Sequence, residues 1–252
     1  MKILVAEDNP VNRELLQHVL VQLGHTVVLA EDGDSAVRTH QETNIDLILM
    51  DLWMPGLDGL AATRQIRAKE KGTGRRVPIV AVTAHAIKGD KEACLEAGMD
   101  FYLTKPLRRE YLVDTIAHLA SGNGPGNTSL SEPALTPWIG VDAEILPRLG
   151  KMMIESTQDS LSSLQDCIEK QDWKRMSRAA HTLRGSLGLF GAQKSAATVV
   201  RIERALTGGQ YDGIPGLMNQ LRQDVEAVLR EVTKRSAGQP EIFSEPSNLK
   251  ST

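Results

Sequence analysis

The sequence predicts an α/β domain of the doubly wound type, followed by an all-α helical bundle. The first observation is a set of five short apolar runs that alternate with longer amphipathic segments over residues 1–120. Such runs are typical of parallel strands whose sheet is covered by helices on both faces. The second observation is the helical spacing of apolar residues over residues 141–235, where no strand pattern occurs.

A segment poor in apolar residues separates the two predicted domains. Gly, Pro, Ser, Thr and Asn fill fourteen of the twenty positions from 121 to 140. We expect a flexible linker there, because such a segment buries too little apolar surface to offset its ordering entropy. Residues 236–252 have the same character and are expected to form a disordered tail.

The elements of the first domain follow from its local signals. The predicted strands cover residues 3–6, 26–29, 47–50, 79–82 and 101–103. Asn9 is a capping residue, and Pro10 after it suits the first turn of a helix. Gly24 and Gly98 stand where helices should end. In the second domain, helical periodicity runs through residues 142–169, 172–190, 192–207 and 214–235, which predicts an antiparallel bundle.

Composition excludes several classes of protein. The 29 basic and 32 acidic residues give a net charge of −3, which argues against a nucleic-acid partner. Two cysteines, Cys94 and Cys167, cannot build a disulfide framework. No apolar run approaches the roughly 20 residues that span a bilayer, and the short N-terminal apolar run ends in two acids, unlike a secretory signal. We therefore expect a cytoplasmic protein without membrane insertion.

Polar side chains follow four of the predicted strands. Glu7 and Asp8 follow the first strand, Asp51 the third, Thr83 the fourth and Lys105 the fifth. Because ligands of doubly wound sheets bind at the carboxyl ends of the strands, we expect these five side chains to share one crevice. Neighbouring carboxylates repel each other unless a cation neutralises them, and Mg²⁺ fits oxygen ligands of this kind.

The same set is suited to phosphoryl transfer. Lys105 can pair with a phosphate oxygen, and the hydroxyl of Thr83 can donate a hydrogen bond to another. Catalysis of phosphoryl transfer consists mainly of positioning and charge neutralisation. A carboxylate can itself be the nucleophile and become an aspartyl phosphate.

These residues resemble those of a response-regulator receiver domain, and the resemblance covers residues 1–120. The matching motifs are Glu7-Asp8, the Asp51 motif over residues 50–59, Thr83-Ala84 and Lys105-Pro106. The resemblance implies a flavodoxin-like sheet with strand order 2-1-3-4-5.

The resemblance also implies a role for each residue. Asp51 would be the phosphoacceptor, and Mg²⁺ would be bound by Asp8, Asp51 and the backbone carbonyl of Trp53, with Glu7 touching the ion or beside it. Lys105 and Thr83 would hold the phosphoryl group. The resemblance further places an aromatic switch residue at Tyr102 and a cis bond between Lys105 and Pro106.

Two positions that control water access to an acyl phosphate are occupied by Trp53 and His85. Neither side chain is a carboxamide or an acid that would orient an attacking water, so one hypothesis is slow self-hydrolysis of the phosphorylated receiver. The other is that Trp53 merely packs on the surface. The sequence leaves both open.

A histidine in the second domain stands apart from the apolar stripe of its helix. The stripe contains Trp173, Met176, Ala180, Leu183, Leu187 and Phe190. His181 lies on another face, with Gly185 and Gly188 after it and basic residues around it. A glycine within a helix lowers helix stability by about 1 kcal/mol relative to alanine, so the presence of two glycines here indicates a structural or functional role. They would leave the imidazole accessible, and imidazole is a competent nucleophile near neutral pH.

The run Ala180-His181-Thr182-Leu183-Arg184-Gly185-Ser186 resembles the histidine-phosphotransfer (HPt) domain, a four-helix bundle with one phosphorylatable histidine. By that resemblance His181 is the phosphorylated residue, in a domain over about residues 141–235. Arg184 differs from the lysine usual there; it keeps the charge but changes the hydrogen-bond geometry.

The combined interpretation is a phosphorelay carrier that resembles the C-terminal modules of hybrid sensor histidine kinases. Asp51 would accept a phosphoryl group from a sensor histidine kinase, and His181 would pass it to or from a downstream response regulator. Val11 and Leu15 of the first helix are expected to contact partners. No nucleotide-binding glycine motif occurs, so we expect a carrier and not an ATP-dependent kinase.

Two alternatives remain at the level of sequence: a regulatory docking module, and a phosphate sink in which Asp51 hydrolyses groups returned by His181. The sequence does not identify the donor, the acceptor, the stimulus, the direction of flow or the oligomeric state, and it does not decide between transfer within and between chains. Met1 directly before the first strand favours a free-standing chain over part of a longer kinase.

Overall fold

A computed structural model describes residues 1–83, 90–105, 107, 109–120, 145–189 and 191–236. Its first part alternates five strands with five helices, as the sequence predicts. The elements in chain order are β1 (Lys2–Ala6), α1 (Pro10–Gln22), β2 (Thr26–Ala30), α2 (Gly33–Glu42), β3 (Leu47–Asp51), α3 (Gly59–Glu70), β4 (Ile79–Thr83), α4 (Asp90–Ala97), β5 (Phe101–Thr104) and α5 (Arg109–Ala120).

The five strands form one parallel sheet in the order β2-β1-β3-β4-β5. All residues of β3 and β4 are buried, which agrees with central strands covered on both faces. Two apolar cores lie on the two sides, because side chains alternate along each strand. The predicted fold class and strand order are confirmed.

Local signals place the helix ends near the predicted residues. The Asn9 side chain accepts hydrogen bonds from the backbone of Val11 and Asn12, and Pro10 is the first residue of α1. Gly24, after α1, and Gly98, after α4, adopt φ values of 81° and 99°, a left-handed conformation that favours glycine. The start of α1 and the ends of α1 and α4 therefore agree with the sequence signals.

The second part is a four-helix bundle. Its helices are α6 (Leu146–Lys170), α7 (Trp173–Leu189), α8 (Gln193–Thr207) and α9 (Ile214–Ser236), with a 3₁₀ turn (Tyr211–Gly213) before α9. α6 packs against α7 and α9, and α8 also packs against both. Four members of the predicted α7 stripe are fully buried: Met176, Ala180, Leu183 and Leu187.

The two parts pack against each other through α1, which contacts α6 and α7. Val11 and Leu15, predicted to contact partners, are buried in an apolar cluster that continues into the bundle through Leu149, Met153 and Leu183. The helix predicted to bind a partner protein therefore lies against the chain's own second domain.

Several predictions fall on residues that are not described. The linker over residues 121–140 lies outside the described residues, as do His85, Pro106 with the cis bond, and Phe190. The predicted tail also lies outside them, apart from Ser236 at the end of α9. Within the described part of the chain, no helix is both long enough and apolar enough to cross a membrane.

Candidate functional site

Three carboxylates converge at the ends of two neighbouring strands. Glu7 and Asp8 follow β1, and Asp51 ends β3, which pairs with β1. Ligand oxygens of the three side chains all lie within 4.8 Å of one another. Glu7 and Asp51 are each 1% exposed. The sheet thus brings together the three acids that the sequence predicts to form a metal site.

Lys105 holds two of these acids. Its Nζ lies 2.6 Å from Oδ2 of Asp51 and 2.7 Å from Oε2 of Glu7. Burial alone would lower the pKa of Lys105, but the charges of Asp51 and Glu7 outweigh burial and raise it. The ammonium group therefore stays charged where a phosphoryl oxygen on Asp51 would need a cation.

The acids themselves are poorly solvated. Burial is the main cause that raises the pKa of Glu7, and repulsion by Asp51 and Asp8 adds to it. Burial and the charge of Asp51 raise the pKa of Asp8 to about 6. A divalent cation would remove this repulsion, and carboxylate oxygens are ligands that Mg²⁺ prefers. The donor set therefore fits Mg²⁺.

The remaining predicted receiver residues surround this cluster. Thr83 is buried at the end of β4, and its backbone carbonyl accepts a 2.6 Å hydrogen bond from the Lys105 amide. The backbone N–H of Trp53 donates to Oδ1 of Asp51 at 3.2 Å. Tyr102 lies half-buried on β5. Thr83, Trp53 and Lys105 therefore all lie close to Asp51, the predicted phosphoacceptor.

His181 lies on α7 at the boundary between the two domains. Its imidazole packs against the indole of Trp53, with ring centroids 5.3 Å apart and planes tilted by 35°. It is only 6% exposed. Burial lowers the pKa of His181 to about 3, although the charge of Asp51 acts in the opposite direction. The imidazole is therefore neutral at pH 7 and close to the acidic cluster. The sequence predicts an accessible ring, whereas in this arrangement the receiver half covers it.

Glu203 on α8 is a site residue that the sequence reasoning missed. Its carboxylate oxygens lie 3.6 Å from Nδ1 of His181 and 3.3 Å from a terminal nitrogen of Arg184. All three side chains are buried. Only a weak signal in the sequence points to Glu203. It is an acidic residue next to Ile202 on the apolar face of α8, and it follows His181 by twenty-two residues.

Polar contacts join the receiver half to α7. The Asn9 side chain donates to the hydroxyl of Ser186 at 2.6 Å and to the carbonyl of Thr182 at 3.2 Å. The hydroxyl of Thr182 donates to Oδ2 of Asp8 at 3.3 Å. These bonds lie beside His181 and attach α7 to the loop that carries the acidic cluster.

Comparison with known proteins divides the chain at the same point. Residues 3–117 match the model of the response regulator receiver domain, and residues 148–231 match the Hpt domain. The two matches lie on the α/β part and on the helical bundle, respectively.

Relatives of the whole chain are sensor kinases of much greater length. The sensor protein GacS of Pseudomonas syringae pv. syringae is 44% identical over 238 residues, which cover 91% of this chain and 25% of that protein. BarA of Escherichia coli (strain K12), a signal transduction histidine-protein kinase, is 30% identical over 251 residues, which cover 93% of this chain and 27% of BarA. The chain thus spans about a quarter of the length of these relatives. Hybrid signal transduction histidine kinase I of Dictyostelium discoideum is 46% identical over 120 residues, which cover 46% of this chain and 7% of that protein.

Solved structures match single parts of the chain. The receiver domain of sensor histidine kinase PA1611 from Pseudomonas aeruginosa PAO1, crystallised with a magnesium ion in its active-site cleft, is 48% identical with a TM-score of 0.44. That match covers 48% of this chain and 97% of the other chain. One chain of the co-crystal structure of Ypd1 with the receiver domain of Ssk1 from Saccharomyces cerevisiae matches at 34% identity and a TM-score of 0.46. That match covers 51% of this chain and 94% of the other chain.

Proposed function

Since the chain belongs to the response regulator receiver family through its first domain and to the Hpt family through its second, we propose that it carries phosphoryl groups in a two-component phosphorelay. Asp51 accepts a phosphoryl group from the phosphohistidine of a sensor histidine kinase. His181 exchanges that group with Asp51 and with a downstream response regulator. The observation that carries the proposal is the imidazole of His181 against Trp53, two residues from Asp51.

The first step forms an aspartyl phosphate. A carboxylate oxygen of Asp51 attacks phosphorus, and the bond between phosphorus and the donor breaks. Lys105 lies 2.6 Å from Asp51 and can pair with a phosphoryl oxygen, and Thr83 can donate a hydrogen bond to another. Asp8, Asp51 and the carbonyl of Trp53 would hold Mg²⁺, with Glu7 touching the ion or beside it. When bound, Mg²⁺ supplies positive charge next to the transferring group.

The second step moves the group to His181. The Nε2 lone pair attacks phosphorus, the bond to the Asp51 oxygen breaks, and the carboxylate leaves with its electron pair. The proton on Nδ1 stays in place, so the ring becomes positively charged as the bond forms. The carboxylate of Glu203, 3.6 Å from Nδ1, stabilises that charge. The reverse sequence returns the group to Asp51.

The proposed transfer can be tested on the intact chain with acetyl phosphate as phosphoryl donor and Mg²⁺. An aspartyl phosphate is labile in base and a phosphohistidine is labile in acid, so each site has its own signature. We expect a base-labile label first and an acid-labile label later. Asp51→Asn should remove both labels, His181→Gln should remove only the second, and the control His25→Gln should keep both.

Other outcomes separate the competing functions. If His181 is never labelled and His181→Gln leaves signalling to the downstream regulator unchanged, the chain is a regulatory docking module. If a phosphoryl group placed on His181 moves to Asp51 and is lost as free phosphate, the chain is a phosphate sink. A chain in which neither site takes up label contradicts the proposal altogether.

A further inference from the structure

Trp53 combines an exposed position with a contact to the phosphorylatable histidine. It is 48% exposed, and its indole packs on the imidazole of His181. The residue lies in the loop between β3 and α3, two positions after Asp51. Single exposed apolar side chains are common on protein surfaces, so the contact between the two rings, and not the exposure, is the informative observation. Here the partner is the nucleophile of the second domain.

The backbone around Trp53 is fixed. Its neighbours Leu52 and Met54 are 6% and 5% exposed and belong to one apolar core. The N–H of Trp53 donates to Asp51, and the carbonyl of Leu52 accepts a 3.1 Å hydrogen bond from Gly59. Since these contacts tie the loop to the end of β3, the backbone of Trp53 has a defined position relative to Asp51, and the indole projects from it onto the imidazole.

The imidazole of His181 is therefore contacted from both domains. Glu203 lies on the Nδ1 side at 3.6 Å, and the indole of Trp53 packs at a tilt of 35°. Attack on a phosphoryl group needs the reacting atoms close together and in line, so the orientation of this ring affects the rate directly.

We propose that Trp53 is a positioning residue for the transfer between Asp51 and His181, because its indole fixes the orientation of the imidazole above the phosphoacceptor. This inference rests on the proposed function. It differs from the water-access hypothesis for the same residue, since it concerns the transfer rate and not the lifetime of the aspartyl phosphate. It also differs from simple surface packing, which would leave both rates unchanged.

The test labels Asp51 with acetyl phosphate and Mg²⁺ and measures the initial rate at which the acid-labile label appears. Trp53→Leu should slow transfer to His181 about tenfold, which is the order expected for the loss of an aromatic pair. The transfer rate is expressed per labelled Asp51, so that any effect of the substitution on the labelling step itself is removed from the comparison. Trp53→Phe keeps a flat ring and should restore most of the rate. Leu95→Ala, at an exposed apolar residue of α4, is the control and should change neither rate.

Three outcomes would overturn the inference. The Trp53→Leu variant could transfer to His181 at the parental rate, or its Asp51 labelling and its transfer could slow by the same factor. The third is that Trp53→Leu and Trp53→Phe transfer at equal rates. Release of free phosphate is counted in the His181→Gln background, so that faster hydrolysis is not mistaken for slow transfer. If the parental chain labels Asp51 but never His181, the proposed relay fails before the variants are compared.

Discussion

The carboxylate of Glu203 connects the imidazole of His181 to the guanidinium of Arg184. All three groups are buried, and burial lowers the pKa of Arg184 even though Glu203 opposes that shift. Charges in such surroundings are screened less than charges in water. An acid that faces Nδ1 favours the tautomer with the proton on Nδ1, which directs the lone pair of Nε2 toward the incoming group. The role of His181 therefore depends on a neighbour from another helix.

Glu203→Gln should slow transfer from Asp51 to His181 by a factor of about ten to one hundred. The neutral amide cannot stabilise the charge that develops on the ring, and two opposite charges about 4 Å apart interact by about 1 kcal/mol in water and about 4 kcal/mol near a protein surface. Single-turnover appearance of the acid-labile label measures the effect. Glu226→Gln, at an exposed position of α9, is the matched control and should transfer at the parental rate. A Glu203→Gln rate within twofold of the parent would contradict the role.

The acidic cluster could be predicted from the sequence, whereas Glu203 could not. Asp8, Asp51 and Lys105 each follow a strand, and the carboxyl ends of parallel strands meet at one edge whatever the remaining sequence. Glu203 is next to His181 only because α7 and α8 pack side by side. Its contact depends on the packing of two helices, which periodicity does not specify.

Helix α7 contains two glycines whose surroundings differ. A Cβ added to Gly185 would lie 3.2 Å from Nδ2 of Asn12 on the receiver helix α1, whereas one added to Gly188 would meet nothing within 4 Å. The same Asn12 amide donates to Oε1 of Glu7 at 2.8 Å. Gly185 therefore permits a close approach of α1, which also supports the acidic cluster, and Gly188 does not have this function.

Gly185→Ala should weaken the docking of the two domains, and Gly188→Ala should not. Both changes favour the helix by about 1 kcal/mol, so their difference isolates the contact with Asn12. We expect transfer within the chain to fall severalfold for Gly185→Ala and to stay at the parental level for Gly188→Ala, while thermal unfolding shows no loss of stability in the bundle. Equal transfer rates for the two variants would exclude the proposed function of Gly185.

The helices and strands themselves could be read from local patterns. The Asn9 cap and the left-handed Gly24 and Gly98 depend on a few neighbouring residues, so the ends of α1 and α4 follow from sequence. The packing of α1 on α6 and α7 joins segments more than 120 residues apart. The linker composition carries no information about that contact, so the sequence alone predicts an external partner for Val11 and Leu15.

At the scale of the whole molecule, the docked arrangement covers the face that a second receiver would need. His181 is 6% exposed, the indole of Trp53 packs on its ring, and α1 of the same chain contacts α7. A separate receiver can reach His181 only in the fraction of molecules whose own receiver has withdrawn. The apparent affinity for that partner is reduced by the same fraction. Under the proposed function, docking within the chain and onward transfer would therefore compete for one surface.

Variants of an ion pair between α1 and α6 can test whether docking within the chain competes with transfer to another chain. Glu14 on α1 lies 3.1 Å from Arg148 on α6, whose side chain is 68% exposed. The donor is the Asp51→Asn chain charged at His181 with phosphoramidate, and the acceptor is the His181→Gln chain. Adding Glu14→Arg to the donor should raise transfer to the acceptor about two- to fivefold, since an exposed pair contributes about 0.2–1 kcal/mol and the reversal adds repulsion.

The reciprocal change provides the control for charge. Combining Glu14→Arg with Arg148→Glu in the donor restores opposite charges across its own interface, so the rate between chains should return to the parental value or fall below it. The increase caused by Glu14→Arg alone should shrink as salt is added, because screening weakens both the pair and the repulsion. A rate that does not respond to Glu14→Arg, or that rises equally in the double variant, would show that the two domains do not compete for the His181 face.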